Sequence, residues 1–234
     1  VSKNVVSELK AMNLNVDRIS GDTRYTTALE VAKRLGNVSE IAVVNGVTGL
    51  ADAVSIAPVA ADSFNTGINA FVLSSTLHPA SAIYSSAFAL SSPNEGTKVF
   101  DEFIKVNSIK TSYIIGGEAA ISKDVAFKLP NANRLGGASR NETNAIILEK
   151  FYTNRDLNNI FVAKDGMKKV DDLIDALAVG VLASKEKSPV VIVGNKLDAK
   201  QEELLEYKNP KEITQVGGNG NENAFSQIVN IFKK

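Results

Sequence analysis

Arg18-Ile19-Ser20-Gly21-Asp22-Thr23-Arg24-Tyr25-Thr26-Thr27-Ala28 decides how the rest of the chain is read, because its skeleton returns. The second copy is Arg134-Leu135-Gly136-Gly137-Ala138-Ser139-Arg140-Asn141-Glu142-Thr143-Asn144-Ala145. Both run Arg, two residues, Gly, two residues, Arg, then Thr three positions on, and both arginine pairs lie 116 residues apart. A motif recurring at a fixed offset marks a chain built from repeated units, so unit boundaries come before any assignment of chemistry.

Outward from the motif, the apolar pattern alternates between short aliphatic runs and helical spacing. After the first motif, Ala28, Leu29, Val31, Ala32 and Leu35 have helical spacing, and Gly36 stops them. Ile41-Ala42-Val43-Val44 followed by Asn45-Gly46 has the look of a buried parallel strand. Asp52 then opens an alanine-rich helix to Ala61, and Ala70 to Leu73 is the next strand. Phe100 to Val106 reads as a helix, Tyr113-Ile114-Ile115 as a strand ending at Gly116-Gly117, and Ile121 to Leu129 as a helix stopped by Pro130.

From Arg134 the order repeats. A helix carries Ile146, Ile147, Leu148 and Phe151, strands run over 160–163 and 190–193, and Asp175 opens a helix between them. A helix over 198–207, a strand ending at Gly217-Gly218 and a last helix through Phe232 complete the second unit. Alternating β and α elements of this length predict an α/β fold of tandem open parallel-sheet modules with helices on both faces. Asp52 and Asp175 are 123 apart, Ala70 and Val190 are 120 apart, and the two Gly-Gly pairs only 101. The first unit therefore carries 19 extra residues between Leu73 and Ile114, most simply within Ser74 to Thr97, a Ser- and Ala-rich stretch of moderate helical character.

A third echo aligns Val1 to Leu9, a short amphipathic helix with Ser2 as its N-cap, with Ile121 to Leu129. The expected organisation is residues 1–17 as the terminal helix of a preceding module, then modules over 18–130 and 131–234.

The bulk chemistry excludes several classes. The 234 residues are 44% apolar and 22% charged, with Lys+Arg and Asp+Glu both at 26, so no global field points to nucleic acid or a membrane. There is no cysteine for a disulfide, a thiolate metal site or a thiol nucleophile, which fits an exported protein that avoids disulfides. No apolar run approaches the ~20 residues of a membrane span. His78 is the only histidine, Gly-x-Ser-x-Gly is missing, and neither Gly-x-Gly-x-x-Gly nor a Walker-type phosphate loop occurs. No enzyme activity, cofactor or metal is expected.

The motif at Arg18, the following strand, Asp52-Ala53 and then Ile114 to Ser122, in that order and repeated, resemble the cell-wall-binding repeat type 2 family. That family occurs in surface and S-layer proteins of clostridia and related Gram-positive bacteria. The second unit departs from its pattern at Asn141, where Tyr is usual, and at Asn219-Gly220-Asn221. The resemblance implies Rossmann- or Toprim-like modules packed in threes about a pseudo-threefold axis. It also implies secretion and non-covalent anchoring on an anionic cell-wall polysaccharide, with further copies of the module as partners. A structural role, packing against neighbouring modules or S-layer proteins without touching glycan, is the alternative.

Arg24 and Arg140 lead the candidate ligand contacts, followed by Tyr25, Arg18 and Arg134. A guanidinium offers a planar donor fork to phosphate or carboxylate and stays charged at any working pH. The competing reading ties each arginine to its own loop through a carboxylate such as Asp52 or Asp175. Those aspartates, each preceding a helix of small residues, are expected to cap it and complement its dipole. Gly116, Gly117, Gly217 and Gly218 end strands, where backbone amides can meet an anion and tight turns equally need glycine. Pro189, Val190, Val191 and Ile192 match the segment that the resemblance links to polymer binding and module contacts, although a buried strand explains the same residues.

Overall fold

A computed structural model describes residues 2–61, 70–74, 89–90 and 98–233 of the chain. Ile41, Ala42, Val43 and Val44 are fully buried on β1 (Glu40–Asn45), as a strand covered on both faces by helices requires. Around it lie β2 (Ala70–Ser74), β3 (Ala89–Leu90), β4 (Thr111–Ile115) and β5 (Ala132–Leu135), with neighbours in the order β2-β1-β4-β5 and β3 also paired to β1. A second sheet has β6 (Asp156–Lys164) between β7 (Val190–Val193) and β8 (Asn209–Gln215). Every strand pair among the described residues is parallel.

The repeat is visible in the register. Ile41 pairs with Ser112 on β4, and Ile160 pairs with Ile213 on β8, so β1 and β6 correspond at an offset of 119. The tandem α/β architecture expected from the alternation is present. Of the expected insertion, residues 75–88 and 91–97, His78 among them, lie outside the described residues.

Helix formation follows local rules. The first helix, α1 (Lys3–Ala11), starts at Ser2, whose side chain accepts from the Val5 amide, but it buries no residue. The helix after the first motif, α2 (Arg24–Arg34), is capped by Thr23, and α6 (Arg140–Phe151) after the second motif by Ser139. Between them come α3 (Leu50–Ala61), α4 (Asp101–Val106) and α5 (Lys123–Phe127); beyond lie α7 (Leu173–Lys185), α8 (Ala199–Glu206) and α9 (Glu222–Phe232).

Two placements go beyond what the periodicity predicts. β5, which carries Arg134 at the head of the second motif, is hydrogen-bonded into the first sheet, with Ile114 opposite Arg134 and Ile115 opposite Leu135. Helix α3 is buried on nearly every side because it belongs to two cores. Its Ile56 and Val59 pack with β1 and Phe100, whereas Ala51 and Val54 join Phe161, Leu173, Ala176 and Val190 of the second repeat. Small side chains let its backbone come close to both.

A buried polar network crosses this junction. Asn144 of α6, wholly inaccessible to solvent, donates to Ser55 Oγ of α3 at 3.1 Å and to the Val190 carbonyl at 2.9 Å. Its Oδ1 accepts from Gln201 Nε2 at 2.9 Å and from the Ile192 amide at 3.3 Å. Truncation would strand several buried groups at once, each at a cost of about 1–3 kcal/mol. Asn144→Ala is therefore expected to lower the unfolding free energy by roughly 2–4 kcal/mol, and Ser55→Ala by about 1 kcal/mol, as read from urea denaturation midpoints.

Candidate functional site at the carboxyl edges of the sheets

In open parallel α/β sheets, ligands bind beyond the carboxyl ends of the strands, where helix N-termini and loop amides collect. Both repeats place their motifs there. Arg24, the first residue of α2, donates from Nη1 to the Gly46 carbonyl at 2.8 Å, and Arg140, the first of α6, donates to the Asp165 carbonyl at 2.8 Å. Gly46 and Asp165 each follow the last residue of the central strand, and they correspond at the same offset of 119. Each guanidinium ties a helix start to a strand end through a backbone carbonyl.

The glycine and threonine of the motif complete the loop. The Gly21 amide donates to Thr27 Oγ1 at 2.9 Å, and the Gly137 amide to Thr143 Oγ1 at 3.1 Å. A Cβ on Gly21 would overlap Thr26, and one on Gly137 would overlap Glu142, so the loop can close onto the helix only where no side chain intervenes.

The remaining arginines part company. Arg134 Nη1 donates to the Gly116 carbonyl at 2.9 Å and Nη2 to the Ile121 carbonyl at 2.8 Å, fastening β5 to the turn after β4. Burial lowers its pKa from the usual arginine value, and Glu118 works in the other direction. Arg18 lies exposed in the irregular stretch before α2. Tyr25 is half-buried against the first core, while its counterpart Asn141 donates to the Ile192 carbonyl at 2.9 Å and to Asp165 Oδ2 at 3.3 Å.

Two expectations need correction. Asp52 and Asp175 do not cap their helices; each is the third residue, inside the first turn. The carboxylates instead lie over the strand-end glycines. A Cβ on Gly116 would strike Asp52 Oδ2, and one on Gly217 would strike Asp175 Oδ2, and both glycines hold positive φ, +106° and +72°. That close approach and that backbone conformation together explain the recurrent Asp and Gly-Gly pattern. Pro189, Val190, Val191 and Ile192 are buried, the last three at 0–1% exposure, because β7 is packed on both faces. They have no surface to offer a polymer.

The two aspartates differ electrostatically. Asp175 faces Lys164 Nζ at 3.7 Å, a lysine that also meets Asp172 at 2.9 Å. In the first repeat Asn45 stands where Lys164 does, using Oδ1 to accept from the Val47 and Thr48 amides. Burial therefore pushes the Asp52 carboxyl up from 3.8 to about 6, partly offset by the Arg140 charge. Sequence reasoning missed Asn45, Asn144 and Lys164. Asn45-Gly46 at a strand end is a legible turn signal, whereas Asn144 replaces Ala28 of the first repeat and carries no repeated signal.

This doubled geometry spans the two stretches, residues 18–126 and 134–224, that match cell wall binding domain 2 (CWB2). The chain belongs to the CWB2 family. It is 27% identical over 218 residues to the N-acetylmuramoyl-L-alanine amidase LytC of Bacillus subtilis (strain 168), covering 93% of this chain and 38% of that protein. Two Clostridium difficile structures share the fold. Cwp8 superposes with a TM-score of 0.79 at 29% identity, over 99% of this chain and 36% of its own. Cwp6 gives 0.77 at 25% identity, over 98% and 34%. The chain thus spans just over a third of each relative, and what it shares with them is a tandem of CWB2 repeats.

The raised carboxyl of Asp52 makes a measurable prediction. The folded state holds this proton more tightly than the unfolded chain does, so the associated stability is full below about pH 4 and is lost as pH rises through 6. Asp52→Asn is expected to stabilise the protein by about 2–3 kcal/mol at pH 8 and to have little effect at pH 4, in paired denaturation curves.

Proposed function

We propose that this CWB2 tandem holds a surface protein non-covalently on an anionic polysaccharide of the cell wall. Cell-wall binding itself comes with family membership. The observation that supports an anionic ligand is the recurrence, at the carboxyl edge of both sheets, of a helix N-terminus, a Gly-Gly turn and an arginine. Helix N-termini and turn amides favour anions, and the guanidiniums of Arg24 and Arg140 add charge beside them. With Lys+Arg and Asp+Glu balanced at 26 each, attraction is local rather than global. Several weak sites along one polymer give retention through effective concentration.

In this reading the functional units are the modules over 18–130 and 131–234, and the chain is a secreted, non-catalytic anchor. Its titratable groups at the sheet edges hold backbone and neighbouring side chains rather than forming an acid–base pair. No helix among the described residues is long and apolar enough to cross a membrane. The amidase activity named for LytC belongs to a protein of which this chain matches 38%.

Retention on purified wall polymer is expected to fall steadily between 50 mM and 500 mM salt. The Arg24→Gln/Arg140→Gln pair is expected to weaken it by about tenfold at low salt, the loss of roughly one charge-assisted hydrogen bond. Unchanged retention in a folded double variant would assign the arginines to their loops alone.

A further inference from the structure

The loops that follow the two central strands differ in length. Asp175 lies ten positions after Asp165, whereas Asp52 lies six after Gly46, so the second repeat carries four more residues before its helix. The result is an exposed run, Met167-Lys168-Lys169-Val170-Asp171, where the first repeat has the uncharged Val47-Thr48. A second loop leaves the sheet beside it. Lys164 lies opposite Val193, so β6 and β7 end side by side, and a Cβ on Gly194 would stand 3.3 Å from Asp165 Oδ2. Lys196, two residues further on, is exposed as well.

The base of the longer loop is fastened. Asp165 Oδ1 accepts from the Met167 amide at 2.9 Å, and the Asp172 amide donates to the Lys169 carbonyl at 3.0 Å. Gly166 holds a φ of +69°, with the Leu173 side chain where a Cβ would lie, and Lys164 Nζ meets Asp172 at 2.9 Å. The backbone under the two lysines is therefore set in advance, which lowers the ordering cost of a contact.

Charge is divided unevenly at this edge. Most of its carboxylates are engaged within the protein: Asp172 and Asp175 with Lys164, Glu142 with Lys200, and Glu222 with the Asn219 and Gly220 amides. Lys168, Lys169 and Lys196 make no hydrogen bond or ion pair among the described residues. Asp171 is the exposed acid beside them that has no such bond either. A paired carboxylate has much of its field cancelled nearby, whereas an unpaired ammonium remains available to a mobile anion.

We propose that Lys168, Lys169 and Lys196 form a contact with an anionic polymer that has no counterpart between β1 and α3 of the first repeat. This rests on the anchoring role proposed above and adds that the two repeats are unequal partners of the polymer. An ammonium is a compact charge with rotatable donors on a flexible stem, so it follows the repeating anions of a chain without demanding one geometry. Phosphodiester and carboxylate groups share that chemistry. Asp171 opposes it.

Retention on three immobilised polymers tests the proposal: poly(glycerol phosphate), polygalacturonate and neutral dextran. The parent chain is expected to be held by at least one of the two anionic polymers and not by dextran, and the polymer that holds it identifies the anion. Exposed charge contacts are each worth a few-fold, so Lys168→Gln/Lys169→Gln/Lys196→Gln is expected to weaken retention about tenfold at about 50 mM salt. Asp171→Asn is expected to strengthen it about twofold. Lys185→Gln/Lys187→Gln/Lys211→Gln makes the same change in net charge on exposed residues at the opposite, amino edge of the sheet. That variant is expected to stay within about twofold of the parent, and unchanged circular dichroism confirms that each variant folds. Equal losses in the two triple variants, or full retention of the carboxyl-edge triple, would overturn the inference and leave the anchoring role standing. A parent chain held no better by either anionic polymer than by dextran would overturn both.

Discussion

The carbonyl just beyond a central parallel strand has left the hydrogen-bond ladder, yet the strand end is buried too deeply for water to serve it freely. Arg24 and Arg140 resolve that conflict by donating to the Gly46 and Asp165 carbonyls. Because each arginine is also the first residue of its helix, one guanidinium sets where the helix begins relative to where the strand stops. The capping hydroxyls and the Gly21 and Gly137 contacts all depend on that spacing.

Around this shared frame the repeats diverge where they face one another. Ala28 suffices in the first repeat, whereas Asn144 at the same motif position gathers Ser55, Val190, Ile192 and Gln201 into one buried network. Lys164 beside Asp175 is replaced by Asn45 in the first repeat, so the same aspartate is an ion-pair partner in one repeat and a buried carboxyl of raised pKa, only partly offset by Arg140, in the other. Repetition preserved the backbone ties, and the contact between repeats shaped the rest.

For an anchoring role this arrangement has a clear physical sense. The groups that hold each loop are satisfied within the protein, so the helix N-termini and strand-end amides are preorganised before any ligand arrives, and little ordering remains to be done on binding. Packing α3 into two cores keeps the two carboxyl edges in a fixed relation. Rigid spacing is what lets weak contacts along a polymer add up.

The repeated Arg-x-x-Gly-x-x-Arg motif, the parallel α/β order and the glycines at strand ends were legible in the chain, because each rests on short-range rules: periodicity, capping and the freedom of glycine at positive φ. Those rules also marked Arg24 and Arg140 as special without saying what they touch. Tertiary structure alone decided that β5 joins the sheet of the first repeat, that α3 serves two cores, that Val190–Ile192 are sealed from solvent, and that burial raises the Asp52 carboxyl to about 6. Each of these turns on which surfaces meet between segments far apart in sequence, and on how completely that meeting excludes water.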